Sequence, residues 1–278
     1  MKIAIVYNRE SQAVINLFGT PNREKYGLDT IKSIQKALVK GGHQVKTFEG
    51  DKNFISSLEK FMPAVITGER PGLVFNLSYG IQGKGRYMHM PGILEMLGIP
   101  YIGSGPESHA LALDKVLTKM ILIQKGLPTP AFAVLDTPDS VLNENLNYPL
   151  IVKPKSEAVS FGLRIVHNEK ELKEGVKVIY EKFNSPTLVE EYIEGREFNV
   201  GLLGNRDNLQ ALPPLELAFG AGEQIYTFED KTHQSGREVE KICPAHLTEE
   251  QNEKIKKLSI DTFNALGLYD SARVDFRM

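Results

Sequence analysis

Apolar residues first appear as a short unbroken run, Ile3 to Tyr7, rich in β-branched side chains. Such a run predicts a strand covered on both faces within a parallel sheet. Leu28 to Lys40 follows, with Ile31, Ile34 and Leu38 on one helical face and a stop at Gly41-Gly42. Val45 to Phe48 and Leu73 to Leu77 read as strands, Met90 to Leu97 as a helix ending at Gly98, and Ile99 to Ile102 as a strand again. This alternation predicts a doubly wound, parallel-sheet α/β domain over residues 1–104.

Beyond it the texture changes. Ser108 to Lys125 carries a helical pattern, which Gly126-Leu127-Pro128-Thr129-Pro130 ends before the chain enters Ala131 to Leu135. Leu150 to Lys153 and Leu163 to Val166 are strand-like and flank a loop of small residues, and Glu169 to Lys182 is a helix with Leu172, Val176 and Ile179 inward. A small α+β unit is therefore expected over 105–189. A larger one is expected over 190–278, with a strand at Phe198 to Leu203, a Gly-rich stretch at Phe219-Gly220-Ala221-Gly222, and a late helix. That helix opens with the capping box Thr248-Glu249-Glu250-Gln251, and Ile255, Leu258, Thr262 and Leu266 form its expected core stripe. The last segment, Ser271 to Met278, alternates strictly, so Ala272, Val274 and Phe276 face one way and Arg273, Asp275 and Arg277 the other.

Composition narrows the classes of function. With 41% hydrophobic and 24% charged residues among 278, the chain is of globular type. Its 33 Lys and Arg against 35 Asp and Glu leave no basic block, so nucleic acid is not an expected partner. One cysteine, Cys243, excludes an internal disulfide framework and a multi-cysteine zinc site and fits a reducing compartment, so a cytoplasmic location is expected. No run has the length of a signal peptide or a membrane helix, so no membrane association is expected.

Familiar nucleotide and metal signatures are missing. Gly83-Lys84 lacks the rest of a P-loop, Gly103-Ser104-Gly105 lacks the third glycine of a dinucleotide fingerprint, and the six histidines form no zinc pair. More informative is Lys153, at the end of an apolar strand and followed by Pro154-Lys155-Ser156-Glu157-Ala158-Val159-Ser160-Phe161-Gly162. Such a loop beside a fixed cation can close over a polyphosphate with backbone N–H groups and hydroxyls; an exposed hairpin with a surface lysine is the other reading of this segment. Lys115, with Lys119 one turn later, is either a second phosphate contact or a solvated helix charge. The acids of Val189-Glu190-Glu191-Tyr192-Ile193-Glu194 and Glu197 stand beside an apolar strand, where an adenine edge and ribose hydroxyls could be met.

Together these segments resemble the ATP-grasp superfamily, in its D-alanine:D-alanine ligase-like branch. The resemblance is carried by Leu94 to Gly105, Leu113-Asp114-Lys115 with Lys119, Gly126 to Pro130, Val152-Lys153-Pro154, Val189-Glu190-Glu191 with Glu197-Phe198, Cys243-Pro244-Ala245 and Ala272-Arg273-Val274-Asp275. It implies a ligase that uses ATP and Mg²⁺ to activate the carboxylate of a small amino acid or peptide as an acyl phosphate, which an amine then attacks. It also implies roles. Lys115 and Lys153 would contact the ATP phosphates, Glu190, Glu191 and Ile193 would surround the adenine, and Glu197 would bind the ribose. Lys231 matches the lysine of the family's mobile loop that reaches the γ-phosphate, Arg273 would stabilise the developing oxyanion, and Asp275 would be a magnesium ligand. Relatives are commonly homodimers; no stretch of this sequence identifies an interface.

The pattern breaks at the amino-acid end. The family's dipeptide ligases hold the first substrate with a Glu, a Ser and a Tyr. Here Glu24 approximates the Glu, Val159 precedes the retained Ser160, and Thr232-His233 follows Lys231. Tyr79-Gly80 stands where the family has His-Gly, and Lys84-Gly85-Arg86 where acids are usual. The expectation is that the ATP end is kept while amino-acid specificity has moved, with Arg86 or His233 either pairing with a substrate carboxylate or standing as a solvated surface charge. The chain also stops before the strand on which the family places further magnesium ligands, a Glu and an Asn, with a Gly-rich oxyanion loop. A fragment of a longer enzyme is the favoured reading and a degraded relative the alternative. A non-catalytic nucleotide-binding protein and an ordinary peptidoglycan dipeptide ligase with a rearranged pocket stay open beside the leading reading.

Overall fold

A computed structural model describes residues 1–9, 22, 24, 26–63, 72–142, 145–220 and 224–278. Most of the opening region between Asn8 and Lys25, and Ala221 and Gly222 of the Gly-rich stretch, lie outside the described residues. The chain forms two compact units, Met1–Ala110 and Leu111–Met278.

The first unit is a parallel four-stranded sheet with helices. In chain order its elements are β1 (Lys2–Tyr7), α1 (Leu28–Lys40), β2 (Gln44–Glu49), α2 (Phe54–Phe61), β3 (Leu73–Leu77), α3 (His89–Met96) and β4 (Tyr101–Ile102), in sheet order β2-β1-β3-β4. Residues Ile3 to Val6 of the central strand β1 are all buried, which is why that segment is apolar without alternation. Ala4, Val6, Phe48 and Val74 pack with Phe54 and Leu58 of α2 and Met90 and Leu94 of α3 in one core. Burying each large side chain of this kind contributes about 1.5–3 kcal/mol. Helix α2 was not expected from the sequence. α4 (Pro106–Leu113) spans the division between the units.

The expected continuous helix from Ser108 to Lys125 is instead two helices, because α5 (Lys115–Gln124) starts afresh at Asp114. The Asp114 carboxylate accepts hydrogen bonds from the backbone N–H of Val116 and Leu117, and a short acidic side chain in that position caps a new helix rather than continuing an old one.

The second unit holds two antiparallel sheets. In the first, β5 (Phe132–Leu135), β6 (Leu150–Pro154), β7 (Arg164–Val166) and β8 (Thr187–Glu191) are ordered β5-β8-β6-β7. Helix α6 (Glu169–Phe183) supplies Leu172, Val176, Ile179 and Phe183 to a core with Leu150, Val152, Val166 and Val189. The second sheet contains β9 (Glu197–Leu203), β10 (Gln210–Ala211), β11 (Leu215–Phe219), a short helix α7 (Phe228–Lys231) before β12 (Val239–Ile242), then α8 (Glu249–Ala265) and β13 (Ser271–Arg277). Its order is β10-β9-β11-β12, and β13 pairs with β9 from Ser271 opposite Leu203 to Arg277 opposite Glu197.

Thr248 and Gln251 form the reciprocal cap of α8, as their spacing predicts. The buried line of that helix differs from the expected one, running through Ile255, Ser259, Phe263 and Leu266, with Leu258 and Thr262 half-buried. Ser259 is tolerated there because its hydroxyl donates to the Ile255 carbonyl at 2.7 Å. Among the described residues no helix is long and apolar enough to cross a membrane.

Candidate active site

In the first unit, polar side chains gather after the carboxyl ends of β1 and β3. Asn8 Oδ1 accepts from the Ser78 hydroxyl at 2.7 Å and the Tyr79 amide at 3.1 Å. Gly80 has φ +75°, and a Cβ there would stand 2.2 Å from the Arg86 carbonyl oxygen, so the turn admits only glycine. The turn leads to Arg86, whose side chain is 1% exposed and pairs with Glu24 at 3.4 Å. Arg86 is therefore not the solvated surface charge that one reading of the sequence expected. Tyr87 donates its hydroxyl to Glu24, and burial, reinforced by the Glu24 charge, pushes the phenol pKa far up, so it stays protonated and a donor. Tyr79 stacks between Tyr26 and Tyr87, with ring centroids 5.4 and 5.0 Å away.

The second unit holds the remaining predicted residues in two groups. Lys153, next to the last residue of β6, and Glu190, on β8, meet because their strands pair in register, Lys153 opposite Leu188 and Ile151 opposite Glu190. Glu190 Oε2 takes the Lys153 ammonium, and Oε1 takes that of Lys119, on α5, at 2.7 Å. Burial opposes ionisation of Glu190, but Lys153 and Lys119 outweigh it and hold the carboxyl below its ordinary value. Burial pulls the Lys119 ammonium down, with Glu190 opposing. Lys115, the first residue of α5, donates to the carbonyls of Pro154 and Glu157, tying down the start of the small-residue loop. In that loop Val159 and Ser160 have φ +51° and +60°, consecutive left-handed residues that a β-branched side chain rarely adopts. Val159 itself is exposed.

The second group lies on and beside one face of the β9–β13 pair. Arg273 donates to Asp275 at 2.8 and 3.1 Å, so the two side chains that alternation put on one face meet there. Asn199 also donates to Asp275, at 2.9 Å, and Arg277 pairs with Glu197 at 3.3 Å and donates to the Ile193 carbonyl at 2.7 Å. Burial, with Asp275 nearby, raises the Glu197 pKa; burial lowers that of Lys231, which Asp275 and Glu197 oppose. Lys231, at the end of α7, donates to the Ser160 hydroxyl at 2.7 Å, and Phe228 packs edge-on against Phe161. The phosphate-type loop and the α7 segment thus meet through polar and aromatic contacts. Arg237 braces that segment: it pairs with Asp230 and donates to the Ile225 carbonyl. Burial opposes ionisation of Asp230, but hydrogen bonds from Arg237 and Thr227 hold its carboxyl far below the usual range. Thr232 caps α7 by donating to the Phe228 carbonyl at 2.9 Å, and His233 follows it, exposed, with φ +58°.

Geometry thus brings together Lys153 with Glu190, Lys231 with Ser160, and Arg273 with Asp275. Glu191 is exposed, and Thr232 and His233 make none of these contacts. A cavity of about 440 Å³ opens beside the β8–β9 linker, lined by Tyr192, Glu194, Arg196, Leu217, Phe219 and Gln224 among others. Sequence reasoning missed Tyr87, Arg237 and Arg277, and gave Lys119 no role beyond its place in a motif. The partners of Tyr87, Lys119 and Arg277 lie far off along the chain and are met only through the tertiary fold, while Asp230 lies near Arg237 in a segment with no periodic pattern to pair them. Among the described residues no three His, Cys, Asp or Glu side chains cluster as a metal site.

Several known proteins are similar to this chain. The family model described as D-ala D-ala ligase C-terminus matches residues 121–278. An uncharacterized protein of Sinorhizobium fredii is 39% identical over 283 residues, with 100% of this chain and 83% of that protein covered. A D-alanine:D-alanine ligase of Bordetella petrii is 32% identical over 265 residues, covering 94% of this chain and 77% of the ligase. Among solved structures, a D-alanine:D-alanine ligase from Bacillus anthracis complexed with ATP superposes with a TM-score of 0.71 at 23% identity, over 100% of this chain and 82% of that one. The VanG D-Ala:D-Ser ligase from Enterococcus faecalis gives 0.69 at 22% identity, over 99% and 85%. At such identities these two structures speak for the fold, which is ATP-grasp.

Proposed function

The chain belongs to the D-alanine:D-alanine ligase family, and from that premise we propose that it is an ATP-dependent ligase that joins a carboxylate to an amine as an amide. The observation that carries this reading is the coincidence, within the unit that the family model matches, of a cation-flanked loop suited to phosphate and a sheet face bearing Arg273 and Asp275.

In the proposed reaction a carboxylate oxygen of the first substrate attacks the γ-phosphorus of ATP, the bond to the β-phosphate oxygen breaks, and ADP leaves. The amine of the second substrate then attacks the acyl carbon, loses a proton, and displaces phosphate. Lys115 and Lys153 neutralise the phosphates, while Glu190, Glu191 and Ile193 surround the adenine and Glu197 meets the ribose. The cavity beside Tyr192 and Phe219 offers an apolar wall for the base. Lys231, oriented by Ser160, reaches the transferred phosphoryl group, and Arg273 steadies the oxyanion at the acyl carbon. Asp275 would be the residue of this chain that holds Mg²⁺, exchanging its contacts with Arg273 and Asn199 on the exposed face for the ion, which would supply charge neutralisation at the phosphates.

Amino-acid specificity has moved from that of an ordinary dipeptide ligase. Supporting this, the Glu24 carboxylate is already engaged by Arg86 and Tyr87, and Tyr79 and Val159 stand at altered positions. Thr232 and His233 add two exposed polar groups. The test is ADP release from Mg-ATP across pairs of small amino acids and peptides. Turnover is expected only when donor and acceptor are both present, with D-alanine alone a poor pair. Hydrolysis indifferent to both, or no binding of ATP, would sink the ligase reading; efficient turnover of D-alanine alone would sink the shift in specificity.

A further inference from the structure

The two cations on Glu190 are not equivalent. Lys119 has a side chain 5% exposed and is fixed from three sides: Glu190 at 2.7 Å, the Thr129 hydroxyl at 2.7 Å, and the Phe132 ring with its centroid 4.9 Å away. Lys153 reaches the other carboxylate oxygen with a side chain 22% exposed, beside the loop that begins at Pro154. Two ammonium groups on one carboxylate leave the cluster with a surplus positive charge, and the surplus sits where water, or a ligand, can reach it.

We propose that Lys119 is a positioning residue for the nucleotide: a fixed counter-charge that keeps Glu190 ionised and in place when Lys153 is given over to a phosphate. This rests on the ATP-dependent reading above. If Lys153 were the sole partner of Glu190, turning its ammonium to a phosphate would strand a buried carboxylate, and Glu190 would compete with the ligand for Lys153. With Lys119 in place the carboxylate keeps a charged partner at every stage, and Lys153 is free to exchange one anion for another. Lys119 itself never touches the nucleotide.

The experiment compares dissociation constants of ADP and of adenosine for the unaltered chain, Lys119→Met, Lys119→Arg, Glu190→Gln and the double variant Lys119→Met/Glu190→Gln. The adenosine-to-ADP ratio isolates the share of affinity that the phosphates supply. A purely structural role would weaken both ligands alike and leave the ratio unmoved. Lys119→Met is expected to lower the ratio about tenfold, the scale of one charge-assisted hydrogen bond. Lys119→Arg should keep it within about twofold, and the double variant should return to the Glu190→Gln value, because a neutral amide no longer competes for Lys153. An unchanged ratio in folded Lys119→Met, or a double variant as low as the single one, overturns the proposal. Where thermal unfolding shows that Lys119→Met does not fold, Lys119→Gln takes its place with the same expectation. The wider reading fails differently: the unaltered chain then binds neither ADP nor adenosine, and both proposals fall together.

Discussion

Glu190 and Asp275 both stand on β-strands of the second unit with cations in hydrogen-bond reach, yet the Glu190 side chain is 8% exposed and that of Asp275 is 54%. Around Glu190 water is largely excluded, so the carboxylate depends on its two lysines, of which Lys119 is the one held firmly. Around Asp275 water competes for both partners, and the pair with Arg273 contributes little to stability, on the order of 0–1 kcal/mol for an exposed pair. The same chemical pairing thus builds a rigid support in one place and an exchangeable face in the other. A site that takes a charged ligand needs both: fixed charges that locate it and solvated ones that can change partners when it arrives.

Breaking the buried side should produce the largest effect. Glu190→Ala leaves Lys119 and Lys153 facing each other without their carboxylate, and removal of one partner from a buried pair costs about 3–5 kcal/mol, to be read from urea unfolding. Opening the exposed side should do the reverse. Arg273→Ala is expected to leave the urea midpoint nearly unchanged while lowering kcat/KM for ADP release by about 10²–10³, the usual worth of a donor aimed at an oxyanion. A large stability loss with little loss of rate would invert the comparison.

Asp230 and Arg237 are a second buried pair, with side chains 1% and 20% exposed. Because the folded Asp230 carboxyl is held far below its ordinary value, its contribution is present above the unfolded pKa of about 3.9 and is lost as pH falls from there towards the depressed folded value. Stability should therefore fall in acid. Arg237→Met should cost about 1.5–3 kcal/mol at neutral pH and make that acid limb shallower, which thermal unfolding between neutral pH and about pH 2.5 would measure. The smallest effect concerns the loop between the two groups. Val159→Gly removes a β-branched residue from φ +51° and should raise stability by about 0.5–1 kcal/mol, read from the denaturant midpoint. A loss there would mean that the exposed Val159 side chain makes contacts worth more than its strain.

Much of the fold was legible because its signals are local. Helix α1 ends where its stripe and its glycines say, and the cap of α8 is a four-residue device readable in place. The break at Asp114 is also local, but a capping aspartate and a mid-helix aspartate look alike until the backbone turns. Helix α2 was missed. In the candidate site, strict alternation was enough to put Arg273 and Asp275 on one face, since that geometry is a property of any strand.

What sequence determined here, then, is whatever depends on near neighbours along the chain: the strand and helix periods, the caps, the loop of small residues after Lys153, and the shared face on β13. Tertiary structure alone decided which charges are buried and which are met. Lys119 and Glu190 lie 71 positions apart, and Arg86 and Glu24 lie 62 apart. No periodicity links such pairs. Whether a charged side chain is a solvated surface group or a buried support depends on the elements that close over it, and those come from distant parts of the chain.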